Sequence, residues 1–242
     1  MASKEIIYND QPFTLSYEML HPGKERAILI LHGWGSNKEI MKQAFGKLLD
    51  DYSHIYLDLP GFGKSNNEMI LTTKDYAQIV RRFLEALGIS PQIAMGHSFG
   101  GKVATLLDTP CLVLLSSAGV VTEKPWSVKL KIATVKALKP LGMTFIRDIF
   151  KSKDVEGMSH EMYETFKNVV DEDFEAEFAK SQSRALLFWG KEDTATPLYT
   201  GEKIAGLISG ADFYPLEGDH FFFLRHAPFV AKEIDTHCKG AA

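Results

Sequence analysis

Residues 93–101 read IAMGHSFGG, a serine set between glycines at the end of an apolar run. In a Gly-x-Ser-x-Gly turn the chain passes abruptly from strand to helix, and the serine takes a strained backbone conformation. Such a conformation costs roughly 1–3 kcal/mol. Gly96 and Gly100 carry no Cβ, so strand and helix can crowd together there. The strain lifts the Ser98 hydroxyl to the carboxyl edge of a sheet, where open α/β sheets bind ligands. The helix starting at Phe99 aims its first N–H groups at the same place, which favours negative charge. The chemistry this suits is nucleophilic attack on a carbonyl. The competing reading is an ordinary glycine-rich turn. His97, inside the turn, receives no catalytic role.

A serine hydroxyl is a weak nucleophile until a base takes its proton. Eight histidines are available. His220, in EGDHFFFL, stands just past an apolar run and before another, where a loop returns to the edge that bears Ser98. An imidazole base needs an acid to fix its tautomer and stabilise the imidazolium. Asp193 follows ALLFWGKED, again just past a strand end. Glu192 is one residue off and faces elsewhere, and Asp219 adjoins His220 too closely for a side-chain bond to its ring. Charge develops on the carbonyl oxygen during attack, and donors must await it. The turn LHGWGS at 31–36 supplies one, so the backbone N–H groups of Trp34 and Phe99 are the expected oxyanion donors. His32 is expected to brace that loop. Trp126, Phe145 and Phe222 are the expected apolar pocket residues, against the alternative that they are ordinary core.

Two nucleotide-binding readings fail on spacing. GFGKS at 61–65 ends like a phosphate-binding loop, but Asp58 occupies the position that needs the first glycine. GWG at 33–35 begins like a dinucleotide fingerprint, but Lys38 stands where its last glycine belongs.

These side chains need a frame. Short, continuous apolar runs recur at 27–33, 54–61, 92–98, 111–119, 185–190 and 212–218, as expected of strands buried on both faces. Residues 73–87 carry Tyr76, Ile79, Val80, Phe83, Leu84 and Leu87 at helical spacing, with a threonine N-cap and Gly88 as the stop. The alternation predicts a mostly parallel central sheet with helices on both faces, edged by an antiparallel hairpin near the start. Residues 122–181 break the alternation with helical patterns alone. They read as a helical cap inserted into a core formed by 1–121 and 182–242. Basic residues from Lys124 to Lys153 and acidic ones from Asp154 to Glu177 read as solvated helix faces that attract each other. A second reading has some lysines drawing in an anionic substrate.

The chain has 242 residues, is 45% hydrophobic and carries a net charge of −4. That suits one sizeable core and gives no basic footprint for nucleic acid. The first ten residues, MASKEIIYND, lack an apolar stretch, and no signal peptide is expected. The longest apolar runs fall short of the ~18 residues that span a bilayer. A cytoplasmic protein acting on a small molecule, without cofactor or metal, is the expectation. Cys111 reads as core and Cys238 as a bystander, with neither a disulfide scaffold nor a zinc site.

The motifs HGWGS (32–36), DLPGFGKS (58–65), GHSFGG (96–101), WGKEDTATP (189–197) and GDHFFF (218–223) lie in the order of the α/β-hydrolase superfamily, which the chain resembles over nearly its whole length. The resemblance implies Ser98 as nucleophile, His220 as base, Asp193 as acid, the amides of Trp34 and Phe99 as oxyanion hole, and a helical cap. A serine nucleophile argues against the haloalkane dehalogenases and epoxide hydrolases. The pattern is similar to capped carboxylesterases, to hydrolases that cleave a carbon–carbon bond of 2-hydroxy-6-oxo-dienoates, and to cofactor-free haloperoxidase-like enzymes. The carbon–carbon hydrolases often have Trp after the catalytic histidine, where this chain has Phe221. A ligand-binding, signalling-type relative with little or no turnover would show the same motifs.

Overall fold

The computed structural model describes residues 2–122 and 158–239. Trp126 and Phe145 lie outside them, as does most of the predicted cap. The chain opens with a hairpin, β1 (Ala2–Tyr8) and β2 (Gln11–Leu20), turned by Asn9 and Asp10, both at positive φ. Two such residues in a row match the right-handed twist of the strands they join. The parallel strands β3 (Arg26–Leu31), β4 (Tyr52–Leu57), β5 (Ile93–His97), β6 (Cys111–Leu115), β7 (Arg184–Gly190) and β8 (Asp212–Leu216) follow. The sheet runs β1-β2-β4-β3-β5-β6-β7-β8, antiparallel only at the β1–β2 and β2–β4 pairings. Every expected strand is present, and the hairpin lies at the expected edge.

The continuous apolar runs have a direct cause. Leu29 and Leu31 pack into one core layer, while Ile28 and Ile30 pack into the other. The first layer holds α2 (Thr73–Leu87) and α3 (Phe99–Thr105); the second holds α1 (Lys38–Phe45) and a C-terminal helix, Phe223–His237. Helix α2 starts at a reciprocal capping box between Thr72 and Asp75 and stops at Gly88, φ 66°. Between β6 and β7 the described residues form only helices, α4 (His160–Val170) and α5 (Glu175–Lys180). Helix α6 (Leu198–Leu207) joins β7 to β8, and Phe223–His237 is α7. The acidic residues here pair with surrounding elements. Glu172 binds Lys102 of α3 at 2.7 Å, and Glu175 binds Lys203 of α6 at 2.7 Å.

The chain leaves β3 toward β4 on one side and later enters β5 on the other. The carboxyl ends of β3 and β5 therefore flank the switch point, where the following loops diverge and leave a crevice. A buried ion pair braces the two loops on the β3–β4 side. Lys38 Nζ lies 2.6 Å from Asp58 Oδ2, with the two side chains 2% and 1% exposed. Asp58 also accepts from the Lys38 N–H at 2.8 Å and the Lys64 N–H at 3.0 Å. Burial alone would raise its pKa, but these bonds and the lysine charge outweigh it and hold the carboxyl below its ordinary range. The GFGKS segment is thus wrapped around a carboxylate.

One expectation is corrected. Cys238 is no bystander: it forms a disulfide with Cys111, their Cα atoms 5.8 Å apart across 127 residues of sequence. The bond ties the residue after α7 to the start of β6, a meeting that local sequence does not encode.

Removing one partner of a buried pair leaves the other charge uncompensated. Asp58→Ala is expected to lower the unfolding free energy by about 3–5 kcal/mol in urea titrations. A double change, Lys38→Met with Asp58→Leu, should recover the part of that loss due to the uncompensated lysine charge, while the Lys38 and Lys64 N–H groups still lack their acceptor.

Candidate active site

Ser98 sits between β5 and α3 at φ 51°, ψ −117°, a backbone region that side chains rarely adopt. Surrounding backbone holds it there. Its N–H donates to Leu115 O at 3.0 Å, and its carbonyl accepts from Gly101 N at 3.0 Å and Ala118 N at 3.1 Å. A Cβ on Gly100 would meet the His32 carbonyl at 2.5 Å, and one on Gly96 would run into the Gly100 carbonyl. The glycines are thus required by crowding, as the sequence suggests.

The loop after β3 comes equally close. A Cβ on Gly33 would lie 3.1 Å from Ser98 Cβ. Trp34, the next residue, packs its ring against Phe99, Phe62 and Phe166, at 5.5, 4.8 and 5.3 Å between centroids. His32 is fully buried, its Nδ1 2.7 Å from Gly33 O and its Nε2 accepting from Leu59 N at 3.0 Å. Nδ1 therefore carries the proton. Burial pushes this imidazole down to about 4, so it braces the loop as a neutral strut.

Asp193 and His220 meet from separate loops. His220 Nδ1 lies 2.8 Å from Asp193 Oδ2, the carboxylate fully enclosed and the imidazole 18% exposed. Asp193 also accepts from Ala195 N at 2.8 Å, Thr196 N at 2.9 Å and the Thr196 hydroxyl at 2.8 Å. Trp189 Nε1 donates to Thr196 O at 2.8 Å and pins that turn to β7. Burial would raise the Asp193 carboxyl; the bond to His220, its charge and the Thr196 amide bring it instead down to about 2. The neighbouring carboxylates stand apart: Glu192 is exposed, and Asp219 accepts from Phe221 N at 2.9 Å.

The Ser98 turn, the Gly33–Trp34 loop and the Asp193–His220 pair thus gather at the carboxyl end of the sheet. Among the described residues no direct hydrogen bond joins Ser98 Oγ to His220; such bonds often tighten only when substrate is present. Phe99 opens α3, where first-turn amides have no partner within the helix. Phe222 does not face this crevice. It is 1% exposed and packs in the core layer of α1 and α7. Sequence reasoning also missed Thr196, Phe62 and Phe166. The Asp-x-x-Thr spacing of Asp193 and Thr196 is a usable signal, while Phe62 and Phe166 come from remote segments that no local pattern joins to Trp34. Among the described residues, no cluster of three or more His, Cys, Asp or Glu side chains could hold a metal ion, and no helix is long and apolar enough to cross a membrane.

A family model described as the alpha/beta hydrolase fold matches residues 26–107. An uncharacterized hydrolase of Bacillus subtilis, YugF, is 25% identical over 227 residues, covering 81% of this chain and 83% of that protein. A pimeloyl-[acyl-carrier protein] methyl ester esterase of Proteus mirabilis is 37% identical over 98 residues, 40% of this chain and 36% of its own length. Among solved structures, a hydrolase of Pseudomonas aeruginosa superposes with a TM-score of 0.75 at 19% identity, over 98% of both chains.

A carboxyl depressed in the folded state stabilises the fold above its unfolded pKa, and the gain is lost as pH falls through the folded value. For Asp193 that window runs from its ordinary value of 3.8 down to about 2. Acid titration of unfolding free energy should show wild type losing about 2 kcal/mol more than Asp193→Asn across it. Parallel curves would place the stabilising charge elsewhere.

Proposed function

Since the chain is a member of the α/β-hydrolase superfamily, we propose that it is a serine hydrolase that cleaves a small carboxylic ester. The observation that carries this reading is the 2.8 Å bond between His220 Nδ1 and an enclosed Asp193, beside a strained Ser98. The Nδ1 proton is held by the carboxylate, which leaves Nε2 free as a base.

His220 Nε2 takes the Ser98 proton as Oγ attacks the carbonyl carbon. The developing oxyanion is received by the backbone N–H groups of Trp34 and Phe99, and the first turn of α3 adds a favourable field. Asp193 stabilises the imidazolium that results. His220 then passes its proton to the leaving alcohol, and an acyl-Ser98 intermediate remains. A water deprotonated by His220 hydrolyses it and releases the acid. Trp34, Phe62 and Phe166 offer an aromatic wall beside the oxyanion site, suited to a partly apolar acyl group. In this reading the described helices α4 and α5 belong to a cap, and the junction between them is tied to α3 where Lys102 Nζ donates to Val169 O and Glu172, both at 2.7 Å.

Ester chemistry is supported by the named esterase among the relatives and by Phe221, rather than tryptophan, after the histidine. A panel of p-nitrophenyl esters beside a 2-hydroxy-6-oxo-dienoate tests it. Many turnovers on short acyl esters are expected. A single slow equivalent would indicate a ligand-binding protein, and preference for the dienoate a carbon–carbon hydrolase. Ser98→Ala should abolish turnover with an unchanged melting temperature, and Asp193→Asn should lose about 10⁴ in kcat. Retained activity in Ser98→Ala would overturn the mechanism.

A further inference from the structure

His97 precedes Ser98 in the turn, and its spacing assigns it no chemistry. The structure gives it specific partners. Its side chain is 2% exposed, and Nε2 lies 3.0 Å from the backbone carbonyl of His220. A carbonyl only accepts, so Nε2 carries the proton. Nδ1 is then a bare lone pair. It is buried with no hydrogen-bond partner among the described residues, and it stands against Gly33, where a Cβ would come within 2.9 Å. The ring lies 4.5 Å from that of His220, 5.3 Å from Phe221 and 4.9 Å from Phe223. Burial, then the nearby His220, push the imidazole down to about 3; His220, Asp193 and His32 are the titratable groups that act on it. It therefore stays neutral, with a single tautomer.

Asp193 fixes the orientation of the His220 ring but not the position of its backbone. Elsewhere in the base loop, the Gly218 carbonyl is held by Glu192 N at 3.0 Å and the Asp219 carbonyl by Phe222 N at 3.0 Å. The partner of the His220 carbonyl is His97. We infer that His97 is a positioning residue, whose Nε2–H holds the backbone of the base at a fixed distance from the turn that carries the nucleophile. This rests on the roles proposed for Ser98 and His220. Ser98 adjoins His97 in sequence, so one hydrogen bond spans the two reacting loops. Its contact with Gly33 brings the oxyanion loop into the same unit.

The test pairs two substitutions with opposite losses. His97→Phe keeps the ring contacts and removes the donor. His97→Gln keeps an amide donor near the Nε2 position and removes the ring. On p-nitrophenyl acetate, His97→Phe should lose about tenfold to a hundredfold in kcat with little change in KM, because small misplacements of a catalytic group cost rates of that order. His97→Gln should recover most of it. Activity in Phe equal to or above that in Gln would assign His97 to packing and overturn the inference. The wild-type protein gives a readout independent of either variant's folding. Long-range proton–nitrogen NMR spectra of the imidazoles should show a neutral, Nε2-protonated ring that does not titrate between about pH 5 and 9, well above its depressed pKa. An Nδ1-protonated or titrating ring would overturn it. Labelling of wild-type Ser98 by a fluorophosphonate separates the two levels: no labelling overturns the proposed function itself, whereas labelling with Phe at or above Gln overturns only the role of His97.

Discussion

Backbone meets backbone at two glycines and side chains close on a third, and the site is built on the space they leave. Gly96 stands against the carbonyl of Gly100, Gly100 against the carbonyls of Leu31 and His32, and Gly33 against Ser98 and His97. A methyl group at any of them would push β5, α3 or the loop after β3 apart. That contact forces Ser98 to φ 51°, at a cost of roughly 1–3 kcal/mol met by the two core layers around it. The same crowding brings the Gly33–Trp34 loop against the turn from which α3 starts at Phe99. Strain at the serine and the closeness of the loop proposed to supply an oxyanion donor therefore have one cause.

Burial then decides the protonation states around the turn. His32 and His97 are driven neutral, so each acts through a single donor and a single acceptor and holds a loop without adding charge. Asp193, enclosed but surrounded by donors, is driven the other way and stays ionised. The contrast places one negative charge behind His220 and no competing positive charge from its histidine neighbours. Charges held deeper have structural duties: Lys38 with Asp58 between the loops after β3 and β4, and Lys102 with Glu172 between α3 and the helices beyond β6.

Where a property depends on periodicity or on a turn, it is legible in the residues. Strands β3 to β7 announce themselves because both faces are buried, and α2 does so through Thr72 and Gly88. Ser98, Asp193 and His220 stand out because each follows a strand end on which a parallel sheet converges. Contacts between distant segments are not legible in this way. Cys111 and Cys238 lie at opposite ends of separate elements, and nothing in either neighbourhood names the other. Phe222 illustrates a subtler failure. It directly follows Phe221, yet Phe221 is 40% exposed beside His220 while Phe222 turns into the opposite core layer. One residue of phase at the entry to α7 separates the site from the interior. Lys102 resembles a solvated helix charge in sequence and is buried because Val169 and Glu172 arrive from a segment about seventy residues away.

The arrangement is tested most directly by a crystal structure of the protein inactivated with an alkyl fluorophosphonate, a stable mimic of the tetrahedral intermediate. Phosphorus bonded to Ser98 Oγ is expected, with one phosphoryl oxygen about 3 Å from the backbone nitrogens of both Trp34 and Phe99 and His220 Nε2 facing Oγ. Phosphorus on another side chain, or an oxygen turned away from both amides, would contradict the site described.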